Sequence, residues 1–230
     1  MPGFPIMLTL LVVDAELELI PAEMINDYSV RIQAKKRKKP AGKMILDSNF
    51  MHGAIERTFP GESTRRGRPD IIFHLLQVAL ESILSKRGEL NVVIHTRNDI
   101  IISVNPRARL PKSYNRFVGL IEDLFDKGVI ASEGEVLLKT EHGDWKRALS
   151  QGKGDTILLS PKGVSTSIRE IFKGGNGMDR TVIIGGFSQG DFLSDVYSMG
   201  SGICIYPEEL TIWSVAMETI CQYERDFNLV

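Results

Sequence analysis

The residues best suited to chemistry lie in one short run from Arg65 to His74. Asp70 follows Arg68 by two residues, so the guanidinium would keep this carboxylate ionised and able to accept a proton. Pro69 is typical of the first turn of a helix, where an acidic side chain also stabilises the helix dipole. Asp70 is therefore either a catalytic carboxylate or a structural residue at a helix start. His74, one turn later, is more typical of packing than of substrate contact.

Three turns near the carboxyl terminus follow three short apolar segments. They are Leu159–Pro161, the glycine-bearing run Gly185–Gly190, and Tyr206–Glu208. Ligands of open α/β sheets bind beyond the carboxyl ends of strands, and glycines allow the backbone to approach a flat ring closely. The spacing does not match a dinucleotide-binding fingerprint. From the residue types alone, a ligand site and simple tight turns remain equally open.

A second basic run precedes and begins a predicted helix that Ser113 would cap. Its cations are close in sequence: Arg107, Arg109, Lys112 and Arg116. Guanidinium groups on one side of a helix start can bind phosphates in bidentate fashion, and the helix amides add to the attraction. A solvated amphipathic helix would instead predict interleaved acids, yet Glu122 is the first to appear. The pattern favours contact with RNA.

The net charge of −1 conceals an uneven distribution along the chain. Residues 31–116 contain 18 Lys and Arg against 7 Asp and Glu, a net of +11, and the remainder contains 10 against 22. Such a split indicates a polyanion-binding surface, although charges that cancel locally on the folded surface are the alternative. The run Lys35–Lys39 is either a solvated helix end or an arm on the RNA backbone.

Strands and helices are predicted to alternate, which implies a mostly parallel sheet flanked by helices. The predicted strands are Met7–Val13, Met44–Leu46, Asn91–Thr96, Ile100–Val104, Glu135–Lys139, Thr156–Leu159, Thr181–Ile184 and Gly202–Ile205. The predicted helices are Pro21–Lys36, Asn49–Arg57, Asp70–Ser85, Ser113–Phe125, Gly143–Leu149 and Glu208–Asp226. The strands Asn91–Thr96 and Ile100–Val104 are expected to form a hairpin through the turn Arg97–Asp99.

The bulk composition excludes several classes of protein. Hydrophobic residues make up 43% and charged residues 25%, as in a globular protein with a real core. The two cysteines, Cys204 and Cys221, form no zinc or disulfide pattern, so no metal is expected. No apolar run reaches the roughly 18–20 residues that span a bilayer. A cytoplasmic location without membrane contact is the expectation.

Taken together, these motifs resemble a known family. The run Val182–Gly190 with Ile203–Pro207 resembles the cofactor-binding end of SPOUT methyltransferases. More narrowly, Arg65–His74, Asn105–Phe117 and the early Leu46-Asp47-Ser48 resemble the archaeal and eukaryotic pseudouridine N1-methyltransferases of small-subunit ribosome biogenesis. The resemblance extends over nearly the whole chain. Glu208-Glu209 departs from it, because relatives more often have an apolar and a small polar residue there.

The resemblance implies a SPOUT-type α/β knot with a C-terminal trefoil knot and a basic insertion. Residues 1–230 would form one domain, with an RNA-binding portion at about 31–116 and a knot at about 155–225 that binds S-adenosylmethionine (SAM). The residues it implies for the cofactor are Ser160, Gly185, Gly186, Gly190, Ile205, Tyr206, Pro207, Glu208, Glu209 and Leu210. Those it implies for RNA are Arg65, Arg66, Arg68, Arg107, Arg109, Lys112 and Arg116, with Asp70 and Arg68 catalytic.

The implied function is methyl transfer from SAM to N1 of a pseudouridine in a hairpin loop of small-subunit (16S-type) ribosomal RNA, by a homodimer. An exposed loop is expected because bases stacked in an A-form stem are inaccessible. Ribosome assembly factors or ribosomal proteins are further expected partners. Two alternatives remain: a non-catalytic assembly factor that retains SAM binding, and a Rossmann-type protein acting on small molecules.

Overall fold

The computed structural model describes residues 7–173 and 178–229. Within these residues, eight strands form one sheet in the order β4-β5-β3-β2-β1-β7-β6-β8. The strands are β1 (Leu8–Ala15), β2 (Leu90–Thr96), β3 (Ile100–Val104), β4 (Val129–Ser132), β5 (Glu135–His142), β6 (Asp155–Ser165), β7 (Arg180–Gly185) and β8 (Ile203–Cys204). The predicted mostly parallel sheet is confirmed around β1, which pairs in parallel with β2 and β7.

The antiparallel part of the sheet lies at one edge. The predicted hairpin of β2 and β3 is confirmed, and β3 continues the antiparallel pairing to β5 and then β4. Strand β4 was not predicted as a separate strand. It is short and largely exposed, so it lacks the apolar run that indicates a buried strand.

Strand β1 lies at the centre and is buried along its whole length. Leu8, Leu10 and Val12 face the larger core, and Leu11 and Val13 face a smaller one. This two-residue alternation is what a strand buried on both faces requires. The helices that cover the two faces fix the strand ends, and with them the loops beyond those ends.

Seven α-helices are found in the described part of the chain. They are α1 (Tyr28–Arg37), α2 (Ser48–Thr58), α3 (Pro69–Ala79), α4 (Ile83–Lys86), α5 (Tyr114–Lys127), α6 (Trp145–Leu149) and α7 (Ile212–Asp226). Helices α3, α5 and α7 contribute to the larger core, and α6 packs Trp145 into the smaller one. None of the helices described is long and apolar enough to cross a bilayer.

The basic segment that follows β1 has a small core of its own. Apolar side chains from residues 20–55, including Met24, Met44 and Ile55, form this third cluster. Buried Glu122 of α5 connects it to the main body, because its carboxylate accepts hydrogen bonds from Arg37, Lys39 and the backbone amide of Ile45. The basic end of α1 is thus fixed against α5 by an acidic residue 85 positions further along.

The predicted helix Pro21–Lys36 begins too early. Residues Ala22–Met24 form a 3₁₀ turn, and α1 starts only at Tyr28. Asp27 caps this start by accepting from the amide and hydroxyl of Ser29, which satisfies a helix-terminal donor. The predicted strand Met44–Leu46 is also reduced, to a single antiparallel bridge between Ile45 and Leu19.

Two further helix boundaries differ from the prediction. The helix predicted over Asp70–Ser85 ends at Ala79, because Ser82 donates to the Ala79 carbonyl and caps the separate α4. The terminal helix begins at Ile212 rather than Glu208, and the residues Glu208, Glu209 and Leu210 before it line a cavity. That cavity is the first part of the functional site.

Candidate functional site

The three C-terminal turns predicted as ligand loops surround one cavity. Its lining includes Ser160 within β6, Gly185 at the end of β7 with residues 187–191 after it, and Ile205, Tyr206 and residues 208–210 after β8. The cavity is open at its mouth, and the empty space within and in front of it is about 870 Å³. Aliphatic side chains such as Leu159, Ile184 and Val215 form much of its wall. The three segments meet at one cavity as predicted, but Leu159–Pro161 lies within β6 and does not form a turn after it.

Two glycines allow the backbone to form this wall. A Cβ atom added at Gly185 would lie 2.7 Å from the Phe187 ring. Gly190 has a φ of +86°, and a Cβ there would lie 3.1 Å from Nη1 of Arg65. Larger residues at either position would displace neighbouring groups or strain the chain. The shape of the cavity therefore depends on these two residues.

Two of the ten predicted cofactor residues are outside the cavity lining, Gly186 and Pro207. Gly186 is buried against β1, where its amide donates to Val13 and its carbonyl accepts from Glu16. A Cβ there would lie 2.5 Å from the Cα of Ala15. Gly186 therefore permits the close pairing of β7 with the end of β1.

A polar network that the sequence did not indicate lies along one side of the cavity. The Ser160 hydroxyl and the Tyr197 hydroxyl are 2.8 Å apart, and Tyr197 donates to Asp191. Lys162 donates to the other oxygen of Asp191 at 2.7 Å. Burial opposes ionisation of Asp191, but the bonds from Lys162 and Tyr197 outweigh it and lower its pKa. A negative charge is thus held at the cavity wall.

Arg65 joins this cavity to the arginine-rich loop. Its Nε donates to buried Glu16 at 2.6 Å, its Nη1 donates to the carbonyl of Asp191, and its guanidinium lies over the Phe187 ring at 4.2 Å. Glu16 also accepts from Arg97 at 2.8 Å. Only 14% of the Arg65 side chain is exposed. Arg65 therefore holds two loops together and presents little surface to RNA.

Arg66, predicted to bind RNA, is turned into the protein. It is buried, both oxygens of Glu18 accept from it, and its guanidinium lies over the Phe59 ring at 3.8 Å. A buried guanidinium requires such a partner, because unpaired charge is costly away from water. The structure therefore gives Arg66 a role within the fold instead of an RNA contact.

Asp14 fixes the segment that follows the glycine-bearing loop. It has a φ of 57° and is buried, and its carboxylate accepts from the amides of Leu193 and Ser194 and from the Ser194 hydroxyl. Its own amide donates to Nδ1 of buried His95, whose Nε2 lies 2.9 Å from Asp99. A strained backbone of this kind persists only where surrounding bonds determine it.

The candidate catalytic pair lies at the start of α3. Arg68 donates to both oxygens of Asp70, at 2.9 and 2.7 Å, and 31% and 23% of the two side chains are exposed. The bond to Asp70 raises the pKa of Arg68 above its ordinary value. Nearby, Tyr114 donates to Asp47 at 2.7 Å, and burial together with this carboxylate raises the pKa of Tyr114. These four side chains form a partly exposed polar cluster at the start of α3.

His74 is exposed on the next turn of α3. Its ring lies 5.0 Å from that of Trp213 on α7, centroid to centroid, and 5.2 Å from Phe73. These ring contacts agree with the packing role that the sequence favoured.

The second basic run is on the surface, as predicted. Its four cations are exposed, and they are Arg107, Arg109, Lys112 and Arg116. Lys112 pairs with Glu81 at 2.7 Å, and Arg107 lies 3.7 Å from Glu135. Within residues 7–173 and 178–229, Arg109 and Arg116 have no carboxylate within 4.0 Å. These two are the cations best placed for phosphate.

Much of the charge of residues 31–116 is neutralised by acids from outside that segment. The pairs are Arg37 and Lys39 with Glu122, Lys43 with Asp126, Arg57 with Asp27, Arg65 and Arg97 with Glu16, and Arg66 with Glu18. The alternative of local cancellation thus holds for part of the segment. The remaining exposed cations define a smaller basic surface than the charge count implied.

Comparison with known proteins gives the family. The EMG1/NEP1 methyltransferase family model matches residues 10–224. Proteins described as ribosomal RNA small subunit methyltransferase Nep1 from Thermoplasma volcanium and Thermoplasma acidophilum are 51% and 48% identical, each over 97% of this chain and 100% of the relative. The crystal structure of Archaeoglobus fulgidus Nep1 bound to S-adenosylhomocysteine is similar with a TM-score of 0.84 and 32% identity, over 98% of this chain and 100% of that one.

The predicted SPOUT-type α/β class is confirmed by this likeness, and the trefoil knot stays a prediction. Matches of this identity over nearly full length leave no doubt about kinship. The chain belongs to the EMG1/NEP1 methyltransferase family.

Proposed function

We propose that this chain transfers a methyl group from SAM to N1 of a pseudouridine in small-subunit ribosomal RNA. The names of its relatives and the S-adenosylhomocysteine in the Archaeoglobus fulgidus structure support SAM-dependent methylation of this RNA. One observation carries the proposal furthest. Arg65 contacts the glycine-bearing cavity loop, and Arg68 and Asp70 follow it directly in the chain. This contact would keep the Arg68–Asp70 pair, only three to five residues further along the chain, near the cavity that we assign to the cofactor.

The cavity suits SAM in both shape and charge. Apolar walls and close backbone at Gly185, Gly190, Ile205 and Leu210 would enclose a flat adenine ring. Asp191 is neutralised by Lys162, but Glu208 and Glu209 in the lining add negative charge that would suit the positive charges of the cofactor. Ser160 is buried and its hydroxyl already bonds Tyr197, so it would act mainly by orienting that side of the site.

The chemistry follows from these positions. SAM held in the first cavity would supply an electrophilic methyl group, whose carbon–sulfur bond would break as the bond to N1 forms, with S-adenosylhomocysteine as the leaving group. N1 must also lose its proton. Asp70 retains exposed carboxylate surface beside Arg68, so it can accept this proton directly or through water. Alternatively, Asp70 positions the guanidinium of Arg68, and Arg68 would then hold the target nucleobase. Tyr114 and Asp47 border the same place.

Phosphate contacts fall to the exposed cations. Arg109 lies in the loop before α5 and Arg116 in its first turn, both exposed, and Arg107 and Lys112 belong to the same basic run. Such contacts fix the position of RNA without reading its sequence.

We also propose that the chain works as a homodimer. Exposed apolar side chains surround the cavity mouth and α7, among them Tyr206, Leu210 and Met217. Apolar patches of this kind mark interaction sites. A cytoplasmic location and the partnership with assembly factors or ribosomal proteins remain predictions.

The proposed reaction is tested with two hairpin RNAs that differ only in the loop nucleotide. We expect tritium transfer from labelled SAM into the pseudouridine hairpin and none into the uridine hairpin, because N1 of uridine carries the ribose. Equal labelling of both would contradict N1 as the target. Tight SAM binding without transfer to either would favour the non-catalytic assembly factor.

Replacement of Gly190 by alanine tests the cofactor cavity. The left-handed backbone and the contact with Arg65 should lower SAM affinity by about tenfold in calorimetry. Gly134→Ala is the matched control, because Gly134 has a φ of +81° but nothing within 4 Å of an added Cβ. Equal SAM affinity in the two variants would show that the loop does not form the cofactor site.

Asp70→Asn distinguishes proton acceptance from positioning. A proton acceptor contributes roughly 10²- to 10⁴-fold, so kcat should fall by about 100-fold at neutral pH with SAM affinity unchanged. As the pH rises and N1 loses its proton to solvent, the activity of the variant should approach that of the wild type. A deficit that is constant across the pH range would assign Asp70 a positioning role.

A further inference from the structure

A second cavity lies between α1, α2 and α5, outside the site described above, and its empty space together with its open mouth is about 750 Å³. Its floor is apolar, with Met44, Met51 and Val118. Its rim carries Gln33 and Lys36 from α1 and Asn115 from α5. No residue of this cavity also lines the cavity that we assign to SAM.

The rim offers three kinds of contact that suit one nucleotide. Phe50 at the rim is 53% exposed, and an aromatic ring in water provides a surface on which a base can stack. The amides of Gln33 and Asn115 can donate to and accept from the edge of a base. Lys36 is exposed, and within the described residues no carboxylate lies within 4.0 Å of it. A basic rim of this composition suits a polyanion better than an acidic or apolar peptide.

The position of the basic rim is fixed by the protein. Buried Glu122 binds both Arg37 and Lys39 and so holds the end of α1 against α5. Arg37 is itself part of the cavity lining. A rim that is already ordered loses little conformational entropy when it binds a ligand.

The cavity is continuous with the catalytic cluster. Tyr114 and Asp47, which are hydrogen-bonded at 2.7 Å, both belong to its lining. The Tyr114 ring also lies edge-on against Phe73, with centroids 5.6 Å apart, in the same helix as Asp70. A nucleotide in the second cavity would therefore lie beside the nucleotide at Asp70.

We propose that the second cavity binds the base of a loop nucleotide that flanks the target pseudouridine, with Phe50 as its stacking surface. The proposal rests on the proposed function, because it assumes that the target base is placed at Asp70. It assigns sequence selection in the loop to α1, α2 and α5, and phosphate binding to the cations around them.

The test uses the full-length protein and the pseudouridine hairpin. Phe50→Ala should weaken hairpin binding by about tenfold, since base–aromatic stacking contributes at this level. Tyr28→Ala is the matched control: Tyr28 is 79% exposed at the start of α1 but does not line the cavity. Hairpins with a single abasic site at each loop position then identify the base. At one flanking position, base removal should weaken wild-type binding about tenfold and leave Phe50→Ala binding unchanged.

The outcomes separate this inference from the proposed function. If wild-type protein methylates the hairpin and Phe50→Ala binds it as tightly as Tyr28→Ala, the inference is overturned and the proposed function stands. A cavity that binds a protein partner instead of a nucleotide would give this result. If wild-type protein binds the hairpin without methylating it, the proposed function fails, and the abasic-site comparison still decides the inference. Loss of binding at every abasic position alike would also overturn it.

Discussion

Three buried carboxylates at and just after the end of β1 determine how the site is assembled. Asp14, Glu16 and Glu18 lie in the interior, where an ionised carboxylate must find charged or hydrogen-bonding partners. Asp14 takes the amides that follow the glycine-bearing loop, Glu16 takes Arg65 and Arg97, and Glu18 takes Arg66. The loop after β7 and the loop before α3 are thereby fixed to the same strand end. The cavity that we assign to SAM and the loop that leads to the Arg68–Asp70 pair are both anchored in this way.

The same requirement divides the arginines into two groups. Arg65 and Arg66 satisfy buried acids, and the cost of leaving those buried carboxylates unpaired keeps both arginines inside. Arg109 and Arg116 have no such partner within the described residues and remain in water, where phosphate can reach them. Arginines of the same basic segment thus have different roles: those with a buried carboxylate partner stabilise the fold, and those without one are available to phosphate.

The sequence predicted those parts of the fold that depend on local patterns. The buried β1, the β2–β3 hairpin and the three C-terminal turns follow from apolar runs, alternation and glycine positions. The role of Arg66 could not be predicted, because its partner Glu18 is 48 residues away and no local pattern connects them. Asp191 and Tyr197 were missed for a similar reason: a lone acid and a lone tyrosine acquire a role only when β6 brings Ser160 beside them. Where Asp27 and Ser82 cap helices, the capping bond overrode the apolar periodicity that suggested longer ones.

The account is tested most directly by comparing Glu16→Gln with Glu122→Gln. Both carboxylates are buried and each binds two basic side chains, so each change should lower the free energy of unfolding by about 2–3 kcal/mol in urea denaturation. Of these two carboxylates, only Glu16 binds Arg65, the residue that contacts the cavity loop. At a temperature where both variants remain folded, Glu16→Gln should therefore bind SAM about tenfold more weakly than Glu122→Gln. Equal affinity in the two variants would show that the buried acids stabilise the fold without assembling the site.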